Sequence, residues 1–169
     1  MVNFVKTAQY KILFTVDGDT LEIESISQKT GISRSTVRKY LKQLEKEGLV
    51  KQVDEFRFTL TDKGRLFKEC VTGILKDQGS TYVLTDPGTG QPLTLSFRNY
   101  KQLLAIYKYG LAPREVLEEH FKRGYIQNWI KEGVKDKLLA EELNTGGIKT
   151  FEDLITYLEK ILSIVDQIE

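Results

Sequence analysis

The sequence predicts an α+β fold, mainly helical, in two parts. Three features of the chain predict it. Between Ser25 and Gly48 two short helical patterns are interrupted by Gly31, with Ile26 before it and Val37, Leu41 and Leu44 at helical spacing after it. The segment LVKQVDEFRFTL that follows alternates apolar and polar residues on both sides of Asp54-Glu55, the pattern of a hairpin. At Asp77-Gln78-Gly79-Ser80 the composition turns polar, and a second hairpin pattern and a series of amphipathic helices come after it. Domains are expected at residues 1–77 and 81–169.

In the first part, VKTAQYKILFTV (5–16) puts Val5, Ala8, Ile12, Leu13 and Val16 near helical spacing and predicts a helix ending at Asp17-Gly18-Asp19. Leu21 and Ile23 alternate with polar neighbours, as in a short strand. Glu24–Thr30 and Ser33–Glu47 are then two helices joined at Gly31, which takes positive φ without a Cβ penalty. Ser33 is placed to cap the second helix by accepting from its free N–H groups. Such an arrangement is a helix-turn-helix, in which the first helix braces the second. With Val37, Leu41 and Leu44 turned inward, Arg34, Ser35, Thr36, Arg38, Lys39 and Lys42 are left for the outer face and the amino-terminal end. Thr61 should cap a further helix of about four turns, with Asp62 in its first turn, where the helix dipole favours a negative charge.

The run ISQKTGISRSTVRKYLKQLEKEGLVKQVDEFRFTLTDKGRLF, with its ending Leu60-Thr61-Asp62-Lys63-Gly64-Arg65, resembles the winged helix-turn-helix domain of archaeal and bacterial transcription regulators over residues 5–70. The resemblance implies binding of double-stranded DNA through a recognition helix at 33–47 and a wing at 49–60. Charge agrees with it. The net charge of +1 conceals seven basic and two acidic residues between Lys29 and Lys51, a local surplus of +5 where a polyanion would bind. Arg34, Ser35, Thr36, Arg38, Lys39, Lys42 and, on the wing, Arg57 are the expected DNA contacts. The other class of function open to such a domain is docking on a protein of the replication, transcription or repair machinery.

In the second part, Tyr82-Val83-Leu84 and the alternating Leu93, Leu95 and Phe97 flank the loop Asp86-Pro87-Gly88-Thr89-Gly90-Gln91-Pro92. A phosphate-binding loop would require Gly-Lys-Ser/Thr entering a helix, so this is read as a hairpin turn. Helices are expected at 99–109, with Leu103, Leu104 and Tyr107 on one face, and at 114–123, 125–132, 138–143 and 150–168. The last repeats Phe151, Leu154, Ile155, Leu158, Ile161, Leu162, Val165 and Ile168. So broad an apolar stripe, if uncovered, would mark an interface, and a homodimer held by this helix is expected. Trp129 and the tyrosines Tyr100, Tyr107, Tyr109 and Tyr125 are read as core aromatics rather than the lining of a ligand pocket. Residues 81–143 also resemble, on fewer positions, a small archaeal and bacterial domain of unknown function with a hairpin and a His-x-x-Arg helix followed by Trp. The matching residues are His120, Arg123, Trp129 and Leu138-Leu139-Ala140. Where such domains often carry an acidic residue after the arginine, this chain has Gly124-Tyr125.

No enzyme is expected. The sole histidine, His120, and the sole cysteine, Cys70, do not suffice for a zinc centre, and no nucleophile shows a triad pattern. His120 is expected to be a hydrogen-bonded structural residue. Neither a cofactor nor a metal is predicted. No apolar run approaches the roughly 20 residues a bilayer crossing needs, and with one cysteine the expected location is the cytoplasm. A protein or small-molecule effector is expected to act on the second domain.

Overall fold

The computed structural model describes residues 8–77 and 79–169. It divides into two compact units, the chain up to Val71 together with Ser163–Glu169, and Thr72–Leu162.

Among the described residues the first unit begins with a single helical turn, α1 (Ala8–Lys11), that tightens into a 3₁₀ turn at Ile12–Phe14. The helical segment thus ends at Phe14 rather than at 16, and Val5 lies outside the described residues. Ala8, expected on the apolar face, is exposed, whereas Tyr10 is fully buried. A polar clamp holds this segment: Gln9 Nε2 and Tyr10 Oη donate to the two carboxylate oxygens of Glu47 at 2.7 and 2.6 Å. Burial, and then the facing carboxylate, push the Tyr10 phenol well above its ordinary range, so it remains a donor.

β1 (Thr20–Glu22) leads directly into α2 (Ile23–Thr30), then α3 (Arg34–Lys46), β2 (Val50–Gln52), β3 (Arg57–Leu60) and α4 (Asp62–Leu75). Ile23, expected in the strand, begins the helix. The three strands pair antiparallel in the order β1-β3-β2, with Leu21 opposite Phe58 and Val50 opposite Leu60. All four of those side chains are buried, with Ile26, Val37, Leu41 and Leu44. Each such side chain contributes about 1.5–3 kcal/mol relative to exposure, so the inward face of α3 is a principal support of the unit.

The second unit holds the hairpin β4 (Tyr82–Thr85) and β5 (Pro92–Phe97), with Tyr82 opposite Phe97 and a register shift between Val83 and Thr85. In its loop, Asp86 Oδ1 accepts from the N–H groups of Gly88 and Thr89 at 3.0 and 2.7 Å. Those bonds, Thr89 first, hold its carboxyl below the usual range. A carboxylate therefore occupies the N–H groups that a phosphate would need. Five helices follow: α5 (Tyr100–Lys108), α6 (Arg114–Lys122), α7 (Tyr125–Asn128), α8 (Lys137–Asn144) and α9 (Phe151–Ile168), with a π turn at Trp129–Val134 between α7 and α8. On α5 the buried residues are Tyr100, Leu103 and Ile106 rather than the expected set with Leu104 and Tyr107.

The aromatic reading divides. Trp129 and Tyr100 are buried, the indole edge-on to Phe97 at 4.9 Å and donating to the Ser80 carbonyl at 2.7 Å. Tyr109 and Tyr125 are exposed, and Tyr107 is half-buried. His120 is buried and bonded through both ring nitrogens. Nε2 lies 2.9 Å from the Thr85 carbonyl, which can only accept, so Nε2 carries a hydrogen; in the neutral ring Nδ1 is then the acceptor for the Tyr82 hydroxyl, 2.5 Å away. Burial pushes that hydroxyl up to about 12, consistent with a donor. The histidine ties α6 to β4.

The stripe on α9 requires a correction. Phe151, Leu154, Ile155, Leu158, Ile161, Leu162 and Val165 are all buried within the single chain, with Ile164 beside them. Dimerisation was expected because a monomer would leave this stripe uncovered. The chain buries these residues itself, with Ile168 half-buried, so an uncovered stripe is no longer a reason for a dimer.

Candidate nucleic-acid interface

The geometry of the candidate surface begins at Gly31, which stands at φ +72°, ψ 5° and closes α2 through its N–H to the Ser27 carbonyl. Ser27 Oγ donates to the Ile32 carbonyl at 2.6 Å, so the turn is fastened from both sides. Ser33 then caps α3, its Oγ accepting from Thr36 N–H at 3.3 Å and lying 2.9 Å from Thr36 Oγ1 and 3.1 Å from Ser35 Oγ. Three hydroxyls therefore cluster at the amino-terminal end of the helix, with Ser35 exposed and Thr36 half-buried.

With Val37, Leu41 and Leu44 buried, Arg34, Arg38, Lys39 and Lys42 are all exposed on α3, and Arg57 is exposed on β3. The helix and the wing are joined across this surface. Arg38 Nη2 donates to the Glu55 carbonyl at the wing tip at 3.3 Å, and Lys42 Nζ donates to Gln52 Oε1 at 2.5 Å. Lys42 also stands 5.6 Å above the Phe58 ring.

Three of the five cations are held by carboxylates that the sequence reading did not single out. Arg34 Nε lies 2.5 Å from Glu24 Oε2, Lys42 Nζ 2.9 Å from Glu45 Oε2, and Arg57 Nη2 2.6 Å from Asp54 Oδ2. Lys42 and the Gln52 N–H lower Glu45; Arg57 and then the Phe56 N–H lower Asp54. Two of these pairs were visible as spacing, since Glu45 follows Lys42 and Asp54 precedes Arg57 by three residues. Glu24 and Arg34 meet only because the turn at Gly31 folds one helix against the other. Lys39 makes no ion pair among the described residues.

The wing tip has its own character. Asp54 Oδ1 accepts from the N–H groups of Phe56 and Arg57, both at 2.9 Å, so the tip is a closed turn. It leaves Val53 59% and Phe56 57% exposed, next to Asp54 and Glu55.

Residues 9–51 match a family model described as winged helix-turn-helix DNA-binding. The match runs from α1 into β2 and ends before the wing tip. A search of curated proteins finds no match to the chain. The matched segment holds α1, α2, α3 and β1 and runs into β2; with β3, which completes the sheet β1-β3-β2 beyond it, the first unit has the architecture of a winged helix-turn-helix. No helix among the described residues is long and apolar enough to cross a membrane.

Proposed function

We propose that this protein is a cytoplasmic transcriptional regulator that binds duplex DNA with α3 in the major groove and the wing (49–60) against the flanking backbone. The second unit would set when it binds, through a protein or small-molecule effector. The observation that carries the reading is the division of α3: one face is consumed by the core through Val37, Leu41 and Leu44, and the opposite face presents Arg34, Arg38, Lys39 and Lys42 to solvent. Ser35 and Thr36 sit at the amino-terminal end, where base edges are reached, and Arg57 extends the cationic surface onto the wing. The test is binding to a duplex drawn from a random-oligonucleotide selection. Arg38→Ala and Lys39→Ala should each weaken binding with melting unchanged. Loss of a base contact relaxes preference at one position by about 1–3 kcal/mol. Unchanged affinity in both variants rejects this face.

A second reading, a protein-docking module, is favoured by one feature, the wing tip. Val53 and Phe56 are exposed beside two acidic residues, a surface better suited to an apolar pocket than to phosphate. Salt separates the two readings. DNA affinity falls steeply with ionic strength through counterion release, whereas docking of an apolar tip does not.

A further inference from the structure

The pairing of Arg34 with Glu24 differs in kind from a simple surface ion pair. Glu24 takes Arg34 from the side: Oε2 accepts from Nε at 2.5 Å and Oε1 from Nη2 at 2.9 Å. Glu24 Oε1 also accepts from Gln28 Nε2 at 3.0 Å, one turn along α2, so the carboxylate is itself held in place. A guanidinium has five N–H donors in one plane. The side-on carboxylate uses Nε–H and one hydrogen of Nη2. It leaves the other Nη2 hydrogen and both on Nη1, and with them the end-on fork that points away from the side chain.

Two consequences follow from elementary electrostatics and geometry. The pair is neutral overall, so its attraction for a phosphate is largely cancelled. Its remaining donors are nonetheless fixed in a plane, and a planar pair of parallel N–H donors matches the O6 and N7 acceptors of guanine in the major groove. The guanidinium is also 71% exposed by side chain, and it belongs to the first residue of α3, at the end of a recognition helix that meets base edges. Lys39, by contrast, has charge without a carboxylate partner and no fixed donor plane, which suits a phosphate.

We propose that Arg34 reads a guanine in the bound duplex, and that Glu24 is a positioning residue that orients it. This rests on the DNA-binding reading above and adds which base is recognised, and by which side chain.

The experiment is a random-duplex selection with the full chain, run on the wild type, Arg34→Lys and Glu24→Gln, followed by affinities for the selected site and for the same site with its guanines replaced singly. Lysine keeps the charge but has no fork. In the wild type one guanine should be worth about five- to 150-fold, the range of a good bidentate pair. Arg34→Lys should abolish that preference while retaining most of the affinity for unrelated duplex. Glu24→Gln should reduce the preference several-fold and leave binding to unrelated duplex equal or tighter, because a negative charge has been removed. A Glu24 that only supported the fold would instead lower the melting temperature and weaken every duplex alike, and that result overturns the assignment. So does a guanine preference that survives in Arg34→Lys, or a selected site with no guanine dependence at all. A wild-type chain that enriches no duplex sinks the DNA-binding reading together with this one, whereas an enriched site whose preferences ignore Arg34 sinks this one alone.

Discussion

Two glycines on α4 should respond to the same substitution with opposite sign. A Cβ built on Gly64 would stand 2.0 Å from the Leu49 carbonyl oxygen and 3.2 Å from Leu60 Cδ2. Ordinary carbon–oxygen contact is well over an ångström longer, so Gly64→Ala requires α4 to move away from β2. That carbonyl also accepts from Thr61 N–H at 3.0 Å and Thr61 Oγ1 at 3.2 Å, so the movement disturbs the helix cap as well. Forced overpacking costs about 1–3 kcal/mol. For a domain of this size each kcal/mol shifts the midpoint by about 4–8 °C, so Gly64→Ala should lower the melting of the first unit by roughly 4–24 °C. Gly73 lies on the same helix with nothing within 4 Å of its Cβ position. Gly73→Ala should then stabilise the helix by about 0.5–1 kcal/mol through lost backbone entropy in the unfolded chain. Both are measured by thermal and urea melts of the full chain followed by circular dichroism. A Gly64→Ala chain that melts with the wild type would mean that α4 does not approach β2 as closely as described.

Two further outcomes concern the second unit. Tyr82 is raised from 10 to about 12, chiefly by burial, so the folded state keeps a proton that the unfolded state releases between those values. Its contribution is fully present below pH 10 and declines as pH rises towards 12; pH-jump melts should show wild-type stability falling more steeply through that window than Tyr82→Phe does, and parallel profiles would refute the burial account. Leu158 is fully buried on α9, so Leu158→Glu places an unpaired charge in the core at a cost of about 3–5 kcal/mol. Circular dichroism beside light scattering should show loss of the second unit's fold rather than a folded chain of halved mass.

The sequence made the first unit legible because its signals are local. Gly31 needs φ near +72°, Ser33 caps within three residues, and Val37, Leu41 and Leu44 obey a helical repeat that the burial follows residue for residue. The hairpin was carried by alternation alone. What failed depends on distant partners. Tyr10 is buried with its ring 5.4 Å from Phe67 and its hydroxyl donated to Glu47, 37 residues on, and no periodicity announces either partner. On α5 both candidate faces are amphipathic, and Trp129, packed 5.9 Å from Tyr100, selects the one with Tyr100 and Leu103. The α9 stripe was correct as a list of apolar residues, yet what covers such a stripe is a tertiary fact. The candidate cations were likewise found by pattern, while the carboxylate opposite Arg34 came into reach only through the turn.

That last difference changes what a charge count means, and it can be measured. Counting Arg34, Arg38, Lys39, Lys42 and Arg57 as five phosphate neutralisers predicts a slope of log K against log salt near −4.5, taking about −0.9 per contact. Three of those cations already face a carboxylate, and exposed pairs of this kind are worth only about 0–1 kcal/mol, so they can be exchanged but not without cost. A phosphate that displaced Glu45 from Lys42 would leave that carboxylate beside the DNA, offsetting what the new contact contributes. Lys39, free of such a partner, has nothing to exchange. Lys39→Ala should therefore lower the magnitude of the slope by about one, and Lys42→Ala should leave it nearly unchanged. Titrations of one duplex across a range of salt concentrations compare the two directly. Equal losses from both variants would mean that the carboxylate pairs open on binding and that the simple count of cations was the right one.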